Sequence, residues 1–83
     1  MSAHTPNELA DIFPEDAEAL RRLKLGDGHF AKLAERHHVV NREIHRIESE
    51  VEAASDERLE GLKKERLNLL DAIAAMLENA PAG

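Results

Sequence analysis

The chain has 83 residues, one domain near the lower size limit for a self-sufficient core. It carries a net charge of −6, with two Phe and no Trp, Tyr or Cys, so its core must be built from aliphatic seams. The acidity opposes general attraction to phosphate backbones. The missing thiols exclude disulfides, thiolate catalysis and cysteine-based metal sites. The opening MSAHTPNELADI has neither a basic start nor an apolar run, and no stretch approaches the ~20 apolar residues of a membrane span. The expected location is the cytoplasm, without membrane contact.

Residues 1–13 read as a flexible polar segment, with Asn7 available to cap a short turn through Phe13. Pro14 suits the first position of a helix, and Glu15 and Asp16 place negative charge at the positive end of its dipole. This short helix spans 14–25, with Ala17, Leu20 and Leu23 as its apolar side. Gly26 fits a left-handed helix end and Asp27 an N-cap, which makes Gly26-Asp27-Gly28 a hinge.

The next helix spans 28–53. Phe30, Leu33, His37, Val40, Ile44, Ile47 and Val51 recur at alternating spacings of three and four, a heptad seam interrupted by one polar member, His37. Ala53 to Glu57 form a short connection in which Ser55 is the N-cap and Asp56 and Glu57 supply first-turn acid. A connection this short makes the flanking helices antiparallel neighbours. The last helix spans 56–79 and repeats the rhythm with Leu59, Leu62, Arg66, Leu69, Ile73 and Met76. Ala80 would extend it into a frayed tail at 80–83.

The fold expected is therefore all-α: an antiparallel hairpin of two long coiled-coil-like helices, preceded by a short N-terminal helix, in one domain over 14–79. Folding about residues 54–55 sets Val51 against Leu59, Ile47 against Leu62, and Ile44 against Arg66. Val40 then meets Leu69, His37 meets Ile73, and Leu33 meets Met76. Arg66 extends its methylenes across Ile44, with the guanidinium at the rim near Glu43 or Glu48. A seam of this size is a small core for two ordered helices. Leu67, Leu70, Ala74 and Leu77 widen the stripe on the last helix beyond what a two-helix seam covers. Either the first helix folds back over them or a second copy docks there; a homodimer is the favoured expectation, with this group as its association surface.

Five histidines invite a metal reading. Glu35 and His38 have the i, i+3 spacing of bundle metal ligands, but they lie on the far side of the helix from the seam, so no metal or other cofactor site is assigned. His37 is a core-edge ring that reaches a polar partner, or a layer that loosens when protonated near pH 6. Catalysis finds no constellation. The hydroxyls are Ser2, Ser49, Ser55 and Thr5, none beside a His with a third orienting group, and there is no glycine-rich phosphate loop.

The order Asp27-Gly28-His29-Phe30-Ala31-Lys32-Leu33, then Ile44-His45-Arg46-Ile47-Glu48 and Leu62-Lys63-Lys64-Glu65-Arg66-Leu67, resembles the YdcH-like family of small bacterial proteins. The likeness covers about residues 18–78. It implies a helical hairpin in a bacterial cytoplasm and supplies no catalytic residue. The family's usual L-K-D-E-I is replaced here by Leu69-Leu70-Asp71-Ala72-Ile73, which makes that face more apolar. The segment before Phe13 also extends beyond the family core.

The function expected is a non-enzymatic helical interaction module, self-associating and able to present a face to an unidentified protein. Two alternatives stand beside it: a nucleic-acid-associated regulator acting as a dimer, and a pH- or metal-responsive helical protein built on His37, His38 and His45.

Overall fold

A computed structural model describes residues 5–79. The tail expected at 80–83, and residues 1–4 of the N-terminal segment, lie outside the described residues. The described chain is all-α: α1 (Leu9–Ile12), a 3-10 turn (Pro14–Asp16), α2 (Ala17–Gly26), α3 (Gly28–Glu48) and α4 (Asp56–Glu78). Helices α3 and α4 pack along each other as an antiparallel hairpin, and α2 packs against α3. None of the helices described is long and apolar enough to cross a membrane.

Each boundary has a local cause. Asp27 is extended and serves both neighbours: its N–H donates to the Leu23 carbonyl, and its carboxylate accepts from the Phe30 N–H at 3.1 Å. Gly26 remains the last helical residue of α2 and does not take the left-handed end expected of it. One extended residue therefore separates the two helices. At the start of α4, Ser55 Oγ accepts from the Arg58 N–H at 3.1 Å, the N-cap its sequence context suggests.

The end of α3 departs from expectation. The helix stops at Glu48, five residues before 53, because Glu50 turns left-handed at φ 61. Its N–H donates to the Ile47 carbonyl, and the Val51 N–H reaches back to the Arg46 carbonyl. That pair is a Schellman ending built without glycine. Arg46 also holds the Glu52 carboxylate at 3.3 Å, which fixes the bend. As a result Val51 leaves the seam and is 76% exposed, so it supplies no buried layer against Leu59.

The core sits toward the end of the hairpin remote from this bend. Leu9, Leu20, Phe30, Ala34 and Ile73 form its buried centre, with Phe13, Leu23, Leu33, Leu70, Met76 and Leu77 packed around it. The N-terminal elements thus complete the core. Residues 5–13 are placed against the hairpin, because Leu9 and Phe13 are apolar side chains with a face to cover.

Candidate functional site

Of the seam residues, Phe30, His37, Val40, Ile44 and Ile73 are buried. Leu33, Ile47, Leu59, Leu62, Arg66, Leu69 and Met76 are half-buried. The outer hairpin is laced by exposed ion pairs. Arg36 bridges Glu65 through two hydrogen bonds of 2.5 and 2.9 Å, Arg58 pairs with Glu43, and Lys63 pairs with Glu48 at 2.9 Å. The Arg36 guanidinium holds the Glu65 carboxyl below its usual range, and Lys63 does the same for Glu48.

The chemistry-bearing part of the molecule is the junction between the N-terminal segment and α3. Asn41 is 1% exposed in the middle of α3. Its Nδ2 donates to the Pro6 carbonyl and to Glu8 Oε2, both at 2.8 Å, while its Oδ1 accepts from Arg66 Nη1 at 3.0 Å. The other oxygen of Glu8 lies 2.8 Å from His38 Nδ1. One amide therefore ties the N-terminal segment, α3 and α4 together. Arg66 thus makes its hydrogen bond to Asn41, inside the hairpin, in place of a contact with Glu43; its charge still reaches Glu48 and helps depress that carboxyl.

His37 lies next to this network and is also 1% exposed. Its Nε2 is buried without a hydrogen-bond partner, so this nitrogen is not the one that reaches a polar group. Burial pushes the imidazole below its ordinary value of about 6.5; Glu8 pulls it back up, and Arg66 and His38 push it further down. An open cavity of about 340 Å³ adjoins it, lined by Glu8, Leu9, Ala10, Lys24, Ala31, Ala34, Glu35, His37 and His38. Glu35 and His38 share this cavity rim. Among the described residues no group of three or more His, Asp or Glu is placed to hold a metal ion.

The residues read as an association surface divide. Leu70, Ala74 and Leu77 are half-buried, and Leu70 and Leu77 pack against the core that Leu9 and Leu20 help to form. Phe13 and Asp16 approach Ala74 and Leu77 across a second cavity of about 270 Å³. The chain's own N-terminal elements therefore cover much of this face, and Leu67 is left 59% exposed. Among the described residues, Leu25, Val39 and Val51 are the other exposed large apolar side chains.

Asn41 and Glu8 are the site residues that sequence reasoning missed. Asn41 had a detectable signal: it stands one turn after His37, between Val40 and Ile44, where a poor helix former needs a hydrogen-bonding reason to be. Glu8 had none, since nothing local connects it to a residue 33 positions away.

Searches of curated proteins and of solved structures return no match. A family model described as a protein of unknown function, DUF465, matches residues 30–77. That span covers α3 from its first turn, the bend, and nearly all of α4, more than half of the 83 residues. The chain belongs to this DUF465 family, the small bacterial proteins that include YdcH.

Proposed function

We propose that this protein is a non-enzymatic helical interaction module that self-associates through the outer edge of α4. One observation supports the reading: Leu67 stays 59% exposed beside the half-buried Leu70 and Ala74, an apolar ridge left over after the chain has folded its own N-terminal segment onto this helix. A second copy presenting the same ridge covers both at once, as a two-fold interface requires. A larger protein with a helical groove is the other occupant such a ridge suits.

The net charge of −6 weighs against the nucleic-acid alternative, and Arg36, Arg46, Arg58 and Lys63 are each paired with a glutamate. Leu67→Lys tests the main reading, since Leu67 lies outside the core and its replacement leaves folding intact. Sedimentation velocity across a concentration series should give a dimer for the wild type and a monomer for the variant. A wild type that stays monomeric at high micromolar concentration, or a variant with unchanged mass, defeats the proposal.

A further inference from the structure

The N-terminal segment is short, with a four-residue helix set against partners of 21 and 23 residues. From α1 only Leu9 is buried, with Phe13 packed beside the same core, and the polar hold includes Glu8 and the Pro6 carbonyl on Asn41, with His38 on the outer oxygen of Glu8. The long helices, by contrast, share a seam running most of their length. Lifting the segment therefore costs far less than parting the hairpin.

His37 lies at the edge of the space this segment closes, since it lines one cavity with Glu8, Leu9 and Ala10. Its Nε2 has neither a protein partner nor contact with solvent. The ring is suited there only as neutral imidazole; a proton would add charge and a donor that nothing accepts. Charged and titratable groups face it from every side. Glu8 on the N-terminal segment favours the cation, Arg66 on α4 and His38 on α3 oppose it, and Lys24 of α2 and Glu35 of α3 line the same cavity.

We propose that residues 8–13 form an acid-released strap: protonation of His37 lifts them from the hairpin, admits water to Nε2 and bares the apolar layer of Phe30, Ala34 and Ile73, while α3 and α4 stay paired. A protonated His38 would grip Glu8 more firmly and oppose release. That contact is half-exposed and screened by water, and at His37 the attraction of Glu8 is outweighed by burial, which the cation escapes only when the cover opens.

Amide hydrogen exchange on the full chain between pH 7.5 and 5 tests the proposal. The Ile12 and Phe13 amides, bonded to the Glu8 and Leu9 carbonyls, report the strap. Their protection factors should fall about tenfold per pH unit below the ordinary histidine titration, the limit for one coupled proton. Protection at Val40 and Ile73 should hold. The pH dependence should vanish in His37→Leu, with His37→Met as the second replacement should the first not fold, and it should persist in His38→Gln. Strap protection that ignores pH, hairpin amides lost in parallel, or a dependence that survives both His37 replacements would each overturn it.

Discussion

Asn41 carries an unusual share of the tertiary specificity for one residue. An amide in the middle of an amphipathic helix is a poor helix former, and here three partners in three parts of the chain justify it. Asn41→Leu keeps the branched heavy-atom shape and removes all three hydrogen bonds, leaving Glu8 and Arg66 to find water. A loss of about 1–3 kcal/mol is expected in urea denaturation, the range for stranding buried polar partners. An unchanged midpoint would mean that the network contributes position without stability.

His37 makes a separate prediction from the direction of its shift. An unfolded His takes up its proton near pH 6.5, while the folded ring resists until lower pH. Its contribution to stability is therefore complete above about pH 6.5 and shrinks as pH falls toward the folded value. The depressed carboxyls of Glu48 and Glu65 act lower, since their contribution is lost only as pH drops through and below the usual carboxylate range. Urea midpoints compared at pH 7.5 and 5.5 thus leave these two carboxyls out of the comparison, and the His37 variant assigns the change to that ring. The wild type should weaken over that interval, and His37→Leu should weaken less.

At the scale of elements, two positions hold residues that the backbone does not favour. Glu50 occupies the left-handed site of a Schellman ending, where a side chain is strained and glycine is not. Gly61 sits inside α4 with nothing near the place a Cβ would occupy. Glu50→Gly and Gly61→Ala should each stabilise the fold by about 0.5–1 kcal/mol, for opposite backbone reasons. Differential scanning calorimetry on the two single variants checks both. A destabilising Glu50→Gly would mean that the Glu50 side chain holds the bend through some other contact.

For the whole molecule, Ile73 is the critical contact. It is fully buried in the core that Leu9, Leu20, Phe30 and Ala34 complete, so strap, α2, α3 and α4 all meet there. Ile73→Ala should cost about 2–5 kcal/mol, read from the shift in urea midpoint, whereas Leu25→Ala, at an exposed position, should change little. Equal costs at the two sites would place the core elsewhere.

Fold class, the antiparallel hairpin and the family were legible in the sequence because they rest on local, periodic information. Heptad spacing on two helices, the caps at Asp27 and Ser55, and a short connection permit few other arrangements. Three features required the tertiary structure. The end of α3 at Glu48 depends on a glutamate accepting a left-handed conformation, which no Gly or Pro announces. The docking of residues 5–13 depends on Glu8, Leu9 and Phe13 finding α3 and α4 across long sequence separations. Covering Leu70, Ala74 and Leu77 from within, while leaving Leu67 outside, follows from that docking. Periodicity shows which residues seek cover along a helix, but only the folded chain decides which segment provides it, since that choice is made by shape and charge between residues the sequence keeps far apart.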